Sequence, residues 1–279
     1  MRKLLRLQPA RPDRAVHGFI YYRFTDRYVA VVRHFLERRD LLPRVREWAG
    51  KRLARTHHAK VVPTEQARRV LVIDRPVELR ATERVLPYEI ARDVVLSVPL
   101  SITLTECACR AVARGRGEHD PDRCGPIAQC LYLGDPIASY AAEHRPDKSR
   151  RVSAREAVEV VERAAARGAV HTLWFKDAAG GRMYALCNCC TCCCVGLQAN
   201  REGFRPLVGS GYAVAVREDL CTGCGRCVDG CPFAALSMVG GTATVDIARC
   251  FGCGNCARTC EQDAIDLQSG RADVEPLPL

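Results

Sequence analysis

The sequence predicts an α+β chain: a mostly helical, cysteine-rich portion with one small hairpin, followed by a duplicated (βαβ)2 unit. Three observations predict it. Eighteen cysteines stand among 279 residues, gathered in four tight groups. The last third repeats itself: Cys221-x2-Cys224-x2-Cys227-x3-Cys231 recurs as Cys250-x2-Cys253-x2-Cys256-x3-Cys260, with matching flanks on both sides. Upstream, helical spacing of apolar residues dominates, broken by three short stretches that read as strands.

Composition narrows the class. With 48% hydrophobic and 27% charged residues, the chain is neither disordered nor fibrous. No apolar run approaches the roughly 18 residues of a spanning helix, and the first residues lack the apolar core of a secretory signal. Cysteines two or three residues apart close almost no loop and make poor disulfides, whereas converging thiolates suit a metal. A reducing, cytoplasmic compartment is the expectation.

Taken in order, Phe24, Tyr28, Val31, Val32, Phe35 and Leu36 have helical spacing, with Arg23, Arg27 and Arg33 on other faces. Leu41-Leu42-Pro43 ends that helix, and a second basic helix spans about 44–54. Pro63-Thr64-Glu65 opens a short helix through Ala67, Val70 and Leu71. Leu86-Pro87-Tyr88-Glu89 opens another, expected to run through Val94 and Val95 to Ser97. Ser101 to Thr105 alternates like a strand and delivers Cys107. Ser153 and Glu156 form a capping box for a helix that Gly168 terminates. Val170 to Phe175 and Met183 to Leu186 form the hairpin, turning at Ala178 to Gly181 and delivering Cys187. In the repeat, each half reads strand, cysteine loop, short helix, strand.

These elements suggest a basic helical arm at 1–60, a cysteine-rich iron–sulfur domain at 61–205 and the repeat at 206–279. Their formal net charges are +11, +3 and −4, so the whole excess of +10 belongs to the arm. Such an arm suits docking to an acidic protein or, peripherally, to the inner face of an anionic membrane, against the readings of a solvated basic face and of an apolar stripe that packs on its own protein, the latter preferred for the helix at 24–36. Deleting residues 1–45 is expected to leave the metal spectra intact.

The repeat resembles bacterial two-cluster (2× 4Fe–4S) ferredoxins. The resemblance implies a ferredoxin-like fold and crossed ligation, in which the fourth cysteine of each run serves the other cluster. Cys221, Cys224, Cys227 and Cys260 would hold one cluster, and Cys250, Cys253, Cys256 and Cys231 the second. Pro232 follows Cys231 as the pattern expects, but Glu261 follows Cys260. Zinc knuckles fit two such runs badly.

Ten cysteines remain: Cys107, Cys109, Cys124 and Cys130, then Cys187, Cys189, Cys190, Cys192, Cys193 and Cys194. They allow two more cubanes, one unusual cluster, or one cubane with spare thiols; zinc and simple burial are the competing readings. The preferred arrangement has both groups converging, with the first four as one set and four of the run as another. If the run is helical, Cys189, Cys192 and Cys193 share one face and Cys190 and Cys194 share another. The motifs Cys107 to Arg110, Cys124 to Cys130, His171 to Lys176 and Cys187 to Cys194 also resemble a wider group of 4Fe–4S ferredoxin-containing proteins, over about residues 58–270. That likeness implies a redox protein with iron–sulfur clusters and no substrate; the ten further thiols lead to the expectation of one or two clusters beyond the ferredoxin pair.

His171 is the candidate catalytic residue, as a non-cysteine ligand or proton carrier, against the preferred reading of a satisfied core or surface histidine; Arg110 is a candidate counter-charge or the partner of an ordinary salt bridge. No dinucleotide or phosphate-binding loop is present, and no nucleic-acid fold, so nucleic acid is not an expected partner. The leading expectation is an electron-transfer protein, with a redox partner protein, that relays single electrons through two 4Fe–4S clusters to or from a further site in the middle domain. An oxidoreductase with a substrate-reducing cluster and a zinc-binding interaction module are the alternatives. So many thiols suggest anaerobic metabolism.

Overall fold

A computed structural model describes the chain except residues 1, 39, 41, 75–76, 81–92, 97–99 and 271–273, with side chains omitted also at 2, 54, 77–80 and 93–96. Four helices come first: α1 (Arg2–Leu7), α2 (Pro12–Arg23), α3 (Thr25–Glu37) and α4 (Pro43–Thr56). Prolines occupy the first turn of α2 and α4, where a missing N–H costs nothing. Then come β1 (His57–Val62), α5 (Thr64–Leu71), the strand pair β2 (Val77–Arg80) and β3 (Asp93–Leu96), and β4 (Ile102–Glu106). The expected helix through Val94 and Val95 is corrected: both lie in β3, paired antiparallel with β2, where β-branched residues suit an extended backbone. Its opening at 86–92 lies outside the described residues.

The chain continues through α6 (Ala108–Gly115), α7 (Pro121–Cys124), β5 (Ala128–Leu133), α8 (Ile137–His144), β6 (Ser149–Arg151), α9 (Ala154–Ala166), β7 (Val170–Lys176) and β8 (Met183–Cys189). Ser153 Oγ accepts the Glu156 N–H at 3.1 Å to cap α9, while the Glu156 carboxylate pairs with Arg150 rather than closing the box. After α10 (Val195–Arg201) and β9 (Leu207–Val208), the repeat supplies β10 (Tyr212–Val216), α11 (Arg226–Asp229), β11 (Leu236–Val239), β12 (Thr242–Val245), α12 (Asn255–Thr259) and β13 (Ile265–Ser269).

The expected hairpin exists as β7–β8, but as two strands of a seven-stranded sheet of order β6-β4-β5-β8-β7-β1-β9 rather than as a small separate element. The extra strands escape notice because they are short and buried on both faces: His58 to Val62 are buried without alternation. One sheet face packs Val62, Leu131, Leu173 and Leu186 under α5 and α9. The other packs Ala59, Tyr132, Trp174 and Cys189 under α1, α2 and α8, through Leu4, Ala15, Tyr22 and Tyr140. Residue 60, the expected limit of the arm, falls inside β1.

In the repeat, β10 pairs with β13 and β11 with β12, all antiparallel. Phe233 and Phe251 stack at 4.3 Å and, with Cys253, pack against the core that carries Cys189 and Cys194. Asn255 Nδ2 donates to the Gly168 carbonyl at 2.7 Å. The C-terminal segment returns to the sheet: Lys60 Nζ donates to the Glu275 carbonyl, Gln66 Nε2 to that of Leu277, and Val274 and Leu277 are buried.

Candidate metal centres

The two halves of the repeat build matching loops. Gly223 and Gly252 have φ of +71° and +62°, and a Cβ on either would stand within 2.4 Å of a backbone oxygen, so only glycine serves. Ala234 and Asp263, three residues beyond the fourth cysteine of each run, both have φ of +49°. This bend aims the next N–H back at sulfur: Ala235 N–H to Cys231 Sγ at 3.3 Å, and Ala264 N–H to Cys260 Sγ at 3.4 Å. Gly252 N–H reaches Cys250 Sγ at 3.4 Å. Donors aimed at sulfur favour thiolates over thiols.

These loops enclose two cavities. Cys221, Cys224, Cys227 and Cys260 line the outer one, whose Cys224 is exposed. Cys231, Cys250, Cys253 and Cys256 line the inner one, where Cys250 and Cys256 are buried. Burial pushes the Cys253 and Cys256 thiols up to about 12, a cost that bound metal offsets by holding the thiolate. Glu261, standing where the pattern has proline, forms an ion pair with Arg226 at the rim of the outer cavity, so its charge is balanced there.

The remaining ten cysteines converge on the far end of the sheet, but their partition differs from that expected. Cys107 follows β4, Cys130 lies on β5, and Cys187 and Cys189 lie on β8, two residues apart and so on one face. With Cys109 on α6 and Cys194 before α10, they form a string of six thiols: Cys187, Cys130, Cys107, Cys109, Cys194, Cys189. Cys109 and Cys130 hold the Cys107 thiol well below its ordinary value, and Cys109 and Cys189 do the same for Cys194. The donors Cys109, Cys130 and Cys189 are correspondingly pushed up. Thr172 Oγ1 lies 3.4 Å from Cys189 Sγ, and the Val195 N–H donates to Cys109 Sγ at 3.4 Å.

The other four, Cys124, Cys190, Cys192 and Cys193, form a separate group with all sulfurs within 4.8 Å of one another. The run is not a helix. It leaves β8 at Cys189 and turns through 190–193, which sends Cys190, Cys192 and Cys193 towards Cys124 at the end of α7 and returns Cys194 to the string.

Arg110 lies between the two groups, 1% exposed. Its Nε donates to the Cys124 carbonyl and its Nη2 to the Asn188 carbonyl, both at 3.0 Å. Burial opposes its charge, but the thiolates of Cys107, Cys190, Cys130 and Cys189 raise its pKa above the ordinary value. Its Nη1 has no hydrogen-bond partner among the described residues.

His171 pairs with Asn188 across β7–β8, so it stands on the opposite face to Cys187 and Cys189. Its Nδ1 lies 2.7 Å from Asn188 Oδ1, and burial lowers its pKa to about 4. The structure does not bring it to the thiols. Residues that were not site candidates in the sequence do approach them. Tyr21, Tyr28, His57, Trp174 and Tyr184 line the cavity that also exposes the six-thiol string. Tyr184 Oη joins Tyr21 Oη at 2.7 Å and His57 Nε2 at 2.9 Å. The tyrosines at 21, 22 and 28 were the available signal, on the stretch before and within α3.

Residues 213–261 match the family model described as a 4Fe-4S dicluster domain. A "Probable ferredoxin" of Methanosarcina thermophila is 66% identical over 32 residues, 11% of this chain and 55% of the relative. The chain thus spans about half the length of the curated relative it matches. No solved structure matches it. No helix among the described residues is long and apolar enough to cross a membrane. With two cysteine-lined cavities and N–H donors aimed at sulfur, the C-terminal part of the chain is a 4Fe–4S ferredoxin-like domain.

Proposed function

We propose that the protein relays single electrons through two 4Fe–4S clusters to or from an iron–sulfur site in the sheet domain. Cys221, Cys224, Cys227 and Cys260 would hold the outer cluster and Cys231, Cys250, Cys253 and Cys256 the inner one; four of the six thiols Cys107, Cys109, Cys130, Cys187, Cys189 and Cys194 would hold the third. When bound, such clusters supply one-electron storage. The chain's own residues fix where they sit, exclude water and balance charge. The observation that carries the reading is the packing of Phe233, Phe251 and Cys253 on the core that contains Cys189 and Cys194. It sets the inner quartet against the six-thiol end of the sheet and leaves the outer quartet, with exposed Cys224, to face a redox partner.

Purification without air, with iron and sulfide counted per chain, tests the proposal. About twelve irons are expected, of which about eight belong to the C-terminal pair. Cys224→Ser should remove about four irons and loosen the last 70 residues or so, because metal binding and folding are coupled there. A count of about eight in the wild type would eliminate the third site. A colourless chain that folds natively would eliminate the whole reading.

A further inference from the structure

The two thiol groups of the sheet domain differ in kind. Thiolates that share one metal ion must stand close together: a tetrahedral ion with metal–sulfur bonds of about 2.3 Å sets its sulfurs about 3.8 Å apart. Thiolates on a cubane bind separate irons at its corners and are necessarily farther apart. The ferredoxin-like domain provides an internal reference. Its two quartets, arranged for cubanes, contain no three sulfurs all within 4.8 Å of one another among the described residues, and neither does the six-thiol string. Cys124, Cys190, Cys192 and Cys193 do, all four of them. Cys193 Sγ lies 3.5 Å from Cys124 Sγ and 3.7 Å from Cys192 Sγ, which is the spacing of a single tetrahedral ion.

We propose that Cys124, Cys190, Cys192 and Cys193 form a mononuclear zinc site, closed by four thiolates and separate from the iron–sulfur centres. The donor set is complete without water or substrate, as in structural zinc sites. Soft thiolates at tetrahedral spacing favour zinc over the weaker-binding ferrous ion. Four thiolates around a divalent ion leave a net charge of −2, and the buried Arg110 guanidinium, bonded to the Cys124 carbonyl, offsets half of it. The ion would tie the end of α7 to the turn after β8. That turn sets the positions of Cys189 and Cys194, which flank it and belong to the neighbouring string. The zinc site would therefore brace the redox site without exchanging electrons.

The full-length protein, purified without air, is assayed for zinc alongside iron and sulfide, and its zinc K-edge absorption is recorded. The expected result is about one zinc per chain, coordinated by four sulfurs at about 2.3 Å. Cys192→Ser, which alters the most exposed of the four, should lower zinc to near none while leaving iron and sulfide unchanged. Absence of zinc in the wild type, with either about four further irons and sulfides or one mononuclear iron in its place, would overturn the assignment. So would zinc bound through nitrogen or oxygen, or zinc retained in full by Cys192→Ser. The wild-type stoichiometry and edge decide the matter even where the variant fails to fold. Because iron is counted in the same sample, failure of the zinc site is distinguishable from failure of the electron-relay reading.

Discussion

A guanidinium removed from water is tolerated where anionic groups and hydrogen-bond acceptors surround it, and Arg110 is held in that way. Its two hydrogen bonds run to the backbone beside Cys124 and to Asn188, between Cys187 and Cys189, so it joins the frames of both thiol groups. Arg110→Met should cost about 3 kcal/mol, from two lost bonds to a charged group. The check is the urea midpoint of the air-free protein; an unchanged midpoint would count against this role. Lys176 presents the opposite case. It is fully buried, its Nζ lies 4.5 Å from the Tyr21 ring and 5.0 Å from the Tyr28 ring, and it has no hydrogen-bond partner among the described residues. Burial lowers its pKa from 10.5 to about 8, against the pull of Asp177. The folded value lies below the unfolded one, so the unfolded chain binds the proton more tightly. Stability is therefore lost as pH falls from 10.5 to about 8 and is level below that. That penalty is about 3 kcal/mol, less about 1 kcal/mol of cation–π attraction. Lys176→Met should thus raise stability at pH 7 by about 2 kcal/mol, with the gain shrinking towards pH 10. Denaturant midpoints at the two pH values test it, and a loss of stability at pH 7 would refute it.

Among the elements, the N-terminal helices pack on the chain's own core, as the apolar stripe of α3 suggested, and they also bound a cavity. Tyr21 on α2, and Thr25, Tyr28, Val29 and Val32 on α3, wall the cavity beside the six thiols. The expectation that residues 1–45 can be removed without touching the metal spectra is therefore revised. Deleting residues 2–37 would open that cavity to water, and the iron content should fall by about four while the two C-terminal quartets keep about eight. Full retention of iron would show that the helices only cover the site. In the repeat, backbone geometry does the corresponding work. A methyl at position 252 would stand 2.2 Å from the Tyr212 carbonyl oxygen and 2.4 Å from Ser210 Oγ, at a φ of +62°. Gly252→Ala should destabilise the inner loop by about 2 kcal/mol or more, read as faster iron loss to a chelator than in the wild type.

For the whole molecule, the deciding contact is that between the ferredoxin-like domain and the sheet. It combines the Phe233–Phe251 stack, the Asn255 bond to Gly168, and the C-terminal segment held by Lys60 and Gln66. Phe251→Ala should slow reduction of the sheet-domain site in rapid-mixing experiments while leaving reduction of the exposed outer quartet unaffected. Equal rates in both proteins would mean that electrons do not cross this contact. The eight repeat cysteines were legible in the sequence because their duplicated spacing resembles that of two-cluster ferredoxins, which implies how the loops curl around each cavity. The helices α3, α4, α5 and α9 were legible because apolar residues and caps recur at helical period. The seven-stranded sheet was not, because β1 and β5 are short and buried on both faces, leaving no alternation to read.

By itself the sequence determined that thiolates converge, that the last third binds 4Fe–4S clusters in two like halves, and that Arg110 accompanies the remaining cysteines. These are local properties, set by residue type and short spacing. Only the tertiary structure decided which of the ten other thiols stand together. Cys187 and Cys189 share a strand face, the turn at 190–193 carries three neighbours away, and Cys124 joins them rather than Cys130. It also removed His171 to the opposite face. The reason is the pleat and the crossing of distant strands, which place residues by register and turn geometry and can separate neighbours in sequence while uniting residues some seventy positions apart.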